Sequence, residues 1–151
     1  DRIAALEGTE AAFATASGMA AVSGALMALC RAGDRVVASR ALFGSCLYVL
    51  EEVMARYGVI VEFVDGTDLA QWRAALARPA RLVFLESVSN PTLEVIDLPA
   101  VCTLAHAAGA LWWWTTCSQP LSFRTRSRRG PIWWSIPRPS ISTGRGAVWA
   151  G

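Results

Sequence analysis

A run of small residues, Ala16-Ser17-Gly18-Met19-Ala20-Ala21, stands where an extended segment gives way to a helical pattern. Ser17 is a good helix N-cap, and Gly18 lets the backbone come close to a ligand. The first free N–H groups of such a helix converge on one point and, with the helix dipole, suit an anion such as a phosphate. The same run also suits an ordinary capped helix that holds nothing. Phe43, taken alone, can be a core aromatic at the start of a helix. Asn90-Pro91 is a turn dipeptide. Glu86 ends an apolar strand, and the sequence leaves it open between lining a site and shaping the fold. One kind of chemistry is excluded outright: all 14 basic residues are arginine, so no lysine amine is available as a nucleophile. The four cysteines (Cys30, Cys46, Cys102, Cys117) lack metal-ligand spacing and are expected to be buried thiols of a cytoplasmic protein.

The elements that must position these residues alternate. A helix ending over 4–7 and a strand over 11–14 are expected first, then a helix from Gly18 to Cys30. The turn pair Gly33-Asp34 introduces a strand from Arg35 to Ser39. Helical periodicity over Leu47 to Tyr57 stops at Gly58, and Val59 to Val64 is a strand. Asp68 can cap a helix to about Leu76, Arg81 to Leu85 is a strong apolar strand, and Asp97 starts a helix to Ala108 that Gly109 stops. A further strand is due at Ala110. This alternation predicts an α/β fold, a parallel sheet with helices on both faces and ligands at the carboxyl ends of the strands. No G-x-G-x-x-G follows a strand, which weakens a dinucleotide-binding reading. Neither a signal peptide nor a membrane-spanning apolar run is present. Asp1 falls inside a helical pattern, which suggests that sequence upstream is missing.

The chain of 151 residues divides in two by composition. Up to Leu111 there are 8 arginines against 12 acids, a balance of −4; from Trp112 onward there are 6 arginines and no acid, a balance of +6. Six of the seven tryptophans also lie in that last stretch, which shows no sustained period. Taken at face value, residues 112–151 form an irregular basic, aromatic tail suited to nucleic acid or a membrane interface, with phosphate contacts from arginine and stacking on tryptophan.

Residues 1–111 carry a resemblance that individual motifs do not. E-G-T-E-A-A, S-G-M-A-A, S-R-x-L-F-G-S and F-L-E-S-V-S-N-P-T-L-E-V-I-D-L, in this order and spacing, resemble the cystathionine gamma-synthase-like family of pyridoxal-phosphate enzymes. The resemblance implies part of a fold-type I large domain over 1–111. It implies that Ser17 caps the phosphate helix, that Gly18 and Met19 offer N–H groups to the cofactor phosphate, and that Phe43 stacks on the pyridine ring. Asn90 would reach the ring hydroxyl or the substrate side. Phe43-Gly44-Ser45 is similar to the O-succinylhomoserine sulfhydrylase branch. The implied substrate is a small molecule, an O-acyl-homoserine, with sulfide or cysteine as sulfur donor. Neither nucleic acid nor membrane is then a partner. Family members are typically homotetramers.

The family also needs a lysine that holds the cofactor as a Schiff base, and an aspartate on the pyridine nitrogen. The D-N-x-F-A-T-P and S-x-T-K patterns that carry them are absent, so no catalytic residue is assigned and covalent cofactor binding is ruled out for this chain. The genetic code offers a reason. Trp112, Trp113 and Trp114 are encoded TGG-TGG-TGG; with one G added in front they regroup as GTG-GTG-GTG, Val-Val-Val. Continued to Pro120, the regrouped codons can spell Asp-Asn-Val-Phe-Ala-Thr. The same shift from Trp133 onward can spell Val-Val-Tyr-Ser-Ala-Thr-Lys, the lysine arising across Pro139 and Ser140. Residues 112–151 are therefore expected to be an out-of-frame tail with no domain of its own, and the chain to be inactive.

Overall fold

The computed structural model describes residues 13–115 and 132–135. The helix end expected over 4–7 and the start of the strand expected over 11–14 lie outside them. Phe13 and Ala14 are in no strand, a correction to that expectation. Here local bonding replaces a ladder: Thr15 Oγ1 donates to the Ser17 carbonyl at 2.8 Å.

Helix α1 (Gly18–Leu29) starts at Ser17, whose extended backbone (φ −156°, ψ 161°) lets its hydroxyl accept the Ala20 N–H. Strand β1 (Arg35–Ser39) follows a turn in which Gly33 takes φ +87°. Helix α2 (Gly44–Tyr48) begins three residues before the expected Leu47, because the Phe43 carbonyl accepts both Cys46 N–H and Leu47 N–H and starts the first turn early. It continues as a π-helical stretch over Val49–Met54, and Gly58 ends the segment at φ +76°, a conformation only glycine takes without cost. Next come β2 (Ile60–Val64), α3 (Leu69–Leu76) capped by the Asp68 carboxylate, β3 (Leu82–Glu86), and α4 (Leu98–Ala107) capped by Asp97. Strands β4 (Leu111–Thr115) and β5 (Ile132–Ser135) follow.

The five strands form one parallel sheet in the order β2-β1-β3-β4-β5. From β1 the chain steps one way to β2, then crosses back past β1 to β3 and onward. Right-handed crossovers place helices on opposite faces when the direction reverses, and the packing follows that rule. Val36, Ala38, Leu82, Phe84 and Trp113 face α1 and α2, whereas Val37, Val83, Leu85 and Trp112 face α3 and α4. Residues alternate between faces along each strand, so both faces need apolar residues and the strands read as continuous apolar runs.

Strand β4 crosses the compositional boundary at Leu111. Trp112, Trp113 and Trp114 stand in register with Val83, Phe84 and Leu85, and β5 pairs with β4 beyond them. Strand pairing is made by the main chain, so β3 can template a neighbour whose side chains lack the usual composition.

Candidate active site

The reversal of direction between β1 and β3 marks the place, at their carboxyl ends, where doubly wound sheets form a crevice and bind ligands. The segment after β1 runs through Arg40 to Phe43, and the segment after β3 through Ser87 to Asn90. Both lead from strand ends at the crevice.

Phe43 is the N-cap residue of α2 and is 41% exposed, so it opens a helix without entering the core. Asn90 sits on an exposed loop whose arms are tied together. Val88 and Val95 form an antiparallel bridge, Ser89 N–H donates to Glu94 O at 3.0 Å, and Ser89 Oγ accepts Glu94 N–H at 2.9 Å. The Asn90-Pro91 peptide is cis.

Glu86 connects the two segments. Its Oε1 accepts Phe43 N–H at 3.1 Å and its Oε2 accepts Asn90 N–H at 3.0 Å. The residue is 0% exposed, and no salt bridge among the described residues reaches it. Burial pushes its carboxyl above the usual carboxylate range, opposed by the N–H groups of Phe43 and Asn90.

The phosphate-type helix start joins the same region through sulfur. Cys46 Sγ, on α2, lies 4.0 Å from Met19 Sδ, in the first turn of α1. Ser17 Oγ takes Ala20 N–H at 3.1 Å and Ser17 O takes Ala21 N–H at 3.2 Å. Gly18 and Met19 therefore supply the N–H groups that point out of the helix end. Ser17, Gly18 and Met19 are linked to Phe43 through Cys46, and Phe43 to Asn90 through Glu86. Sequence reasoning left Glu86 undecided and missed the Cys46–Met19 contact. The available signal was an acid closing the otherwise apolar Leu-Val-Phe-Leu-Glu strand.

The sequence profile of the Cys/Met metabolism PLP-dependent enzymes matches residues 1–122. The chain belongs to that family. Among curated relatives, O-succinylhomoserine sulfhydrylase of Mycobacterium tuberculosis is 56% identical over 110 residues, covering 73% of this chain and 27% of the relative. The Pseudomonas aeruginosa enzyme of the same name is 47% identical over 111 residues, covering 74% and 28%. The chain thus spans little more than a quarter of the length of these relatives. A solved structure of O-acetylhomoserine sulfhydrylase from Wolinella succinogenes superposes with a TM-score of 0.89 at 34% identity, over 99% of this chain and 44% of that one.

The family is pyridoxal-phosphate dependent, and the residues present fit that cofactor in part. The first-turn N–H groups of Gly18 and Met19 suit a phosphate, and the exposed Phe43 suits a flat heterocycle. Ser87 Oγ, buried at the carboxyl end of β3 with no hydrogen-bond partner among the described residues, is the kind of orphaned polar atom a ligand can satisfy. The covalent anchor does not fit: no residue of the 151 is lysine. No catalytic step through the cofactor is therefore assigned to this chain. Among the described residues no group of side chains could hold a metal ion, and no helix is long and apolar enough to cross a membrane.

Proposed function

We propose that this chain is part of the cofactor-binding large domain of a cytoplasmic trans-sulfuration enzyme of methionine biosynthesis. In the parent reaction sulfide replaces the acyloxy group on the γ carbon of an O-acyl-homoserine, giving homocysteine and the free carboxylic acid; in the gamma-synthase branch cysteine replaces it, giving cystathionine. Bound pyridoxal phosphate supplies the electron sink for this exchange. Ser17, Gly18 and Met19 hold its phosphate, Phe43 lies on its ring face, and Asn90 reaches its edge. The observation that carries the reading is the convergence of Phe43 and Asn90 on one carboxylate at the crevice between β1 and β3. The Phe43-Gly44-Ser45 run and the two sulfhydrylase relatives favour sulfide as donor and O-succinylhomoserine as acceptor. The active parent is a homotetramer.

The chain as written is inactive on this reading, because residues 112–151 are translated one base out of frame. Several observations support it together. The break in charge and the tryptophan cluster begin at one point, and the stretch that should carry the lysine has none. The strands β4 and β5 lie where the regrouped codons read Val-Val-Val and Val-Val-Tyr.

The test is to resequence the encoding DNA across the codons from Gly109 to Thr116 and to express the gene with one G restored. The restored product should form homocysteine from O-succinylhomoserine and sulfide, and the product as written should not. Turnover by the lysine-free chain, or a restored frame without the lysine codon, overturns the reading.

A further inference from the structure

A carboxylate removed from water is costly unless its oxygens are hydrogen-bonded, and more so where no cation offsets it. Glu86 is such a group, 0% exposed at the end of β3. The four residues before it, Leu82 to Leu85, are apolar, and another apolar side chain would close the strand at lower cost. Its two oxygens are spent on backbone N–H groups from two segments far apart in sequence, Oε1 on Phe43 and Oε2 on Asn90. Backbone atoms are held in this way, so the geometry of both loops is set whatever their side chains do. The carboxylate is planar and rigid, and it fixes the spacing between its two partners.

We infer that Glu86 is a positioning residue of the cofactor site, a brace that holds the backbone of Phe43 and that of Asn90 at the separation of a ring's face from its edge. This rests on the reading of Phe43 and Asn90 as residues that meet the pyridoxal ring. Glu86 touches neither cofactor nor substrate; it acts through the two loops. A glutamine in its place has the same shape but one acceptor oxygen, and its NH2 group confronts the second N–H. A role in filling space is restored by that substitution; a two-handed brace is not.

The experiment compares the 151-residue chain with Glu86→Gln and Glu86→Ala by residue-resolved amide hydrogen exchange and by titration with pyridoxal 5′-phosphate, followed by tryptophan quenching. Loss of a hydrogen bond to a charged acceptor should speed exchange about tenfold. Glu86→Ala should do so at both Phe43 and Asn90, and Glu86→Gln at one of the two, with Val37 and Val83 in the strands unchanged. Glu86→Gln should also weaken cofactor binding about tenfold. Unchanged exchange at both amides, full rescue by glutamine, or equal acceleration across the strands overturns the brace. If wild type and Glu86→Gln bind the cofactor equally, the brace alone falls. If the wild-type chain binds none, the reading of the site falls and takes this role with it.

Discussion

Arg35 on β1 reaches across to Glu62 on β2, with Nη1 2.6 Å from Oε2, and in the same position holds the end of helix α3. Its Nε donates to Pro79 O at 3.0 Å, and its Nη2 to Ala75 O at 2.7 Å and Arg78 O at 2.6 Å. The side chain is only 12% exposed; it covers Ala75 O, one of the carbonyls that the last turn of a helix leaves without partners, and two more just beyond the helix end. Arg35→Ala should therefore destabilise the chain by about 1–3 kcal/mol, since it strips three carbonyls and leaves the half-buried Glu62 with Arg78 as its remaining partner. Arg35→Lys should restore less than half of that, because a single ammonium cannot reproduce the guanidinium fork. Urea unfolding of the three proteins decides it; equal midpoints for arginine and lysine would show that only the charge matters.

Gly66 is held for a different reason, which is space. A Cβ there would come within 2.5 Å of Ser39 Oγ and 2.6 Å of Ile96 Cδ1. These neighbours join the end of β1 to the segment before α4, and Trp72 Nε1 donates to the Gly66 carbonyl at 3.0 Å. Gly66→Ala should cost about 1–3 kcal/mol through overpacking. Thermal melting provides the check, with Gly44→Ala as the comparison, since nothing lies within 4 Å of a Cβ at that position. A Gly66→Ala melt no lower than that of Gly44→Ala would remove the claim of close approach.

The Cys30 thiol is pushed up to about 11 by burial, with Asp34 adding to the rise and Arg81 opposing it. It stays protonated at neutral pH, and the thiolate is the reactive form. Alkylation of Cys30 by iodoacetamide at pH 7.5, read on its peptide by mass spectrometry, should be about a hundredfold slower in the folded chain than in urea. The sign of the linkage follows from the raised value: the folded state keeps the proton longer than the unfolded one. Stability is then fully present below pH 9 and is lost as pH climbs from 9 towards 11. Cys30→Ala should flatten that part of the profile; an unchanged slope would mean that Cys30 does not titrate there.

Most of the scaffold was legible because its signals are local. Asp68 and Asp97 cap the helices at which their types place them, and Gly58 and Gly109 take positive φ where the periodicity ends. The strand over Arg35–Ser39 has the bounds its apolar run suggests. Helix α2 was read three residues late because its first turn, Gly44-Ser45-Cys46, has weak helical composition and is started by the Phe43 carbonyl. The residues of the candidate site are proposed from motif order. Their meeting point was not legible, because a carboxylate that serves two backbone amides leaves no periodic trace. Glu86 reads in sequence as a polar residue at a strand end and in space as a junction.

Strand β4 gives the proposed change of frame a physical test that needs no DNA. Trp112 and Trp113 lie on opposite faces of the sheet, 4% and 1% exposed. Trp112 Nε1 meets His106 Nε2 at 3.2 Å, and the Trp113 ring stands edge-on to Phe84 with centroids 4.8 Å apart. In a core that evolved around these indoles, truncating either costs about 3–5 kcal/mol. In a core that evolved around the valines of the other frame, the indoles are guests, and their removal relieves crowding on both faces. We expect the Trp112→Val/Trp113→Val double variant to be at least as stable to urea as the chain itself. It should also be recovered in higher soluble yield. A loss near the sum of two buried tryptophans would mean that the strand was built for them, and would sink the out-of-frame reading of the residues that follow.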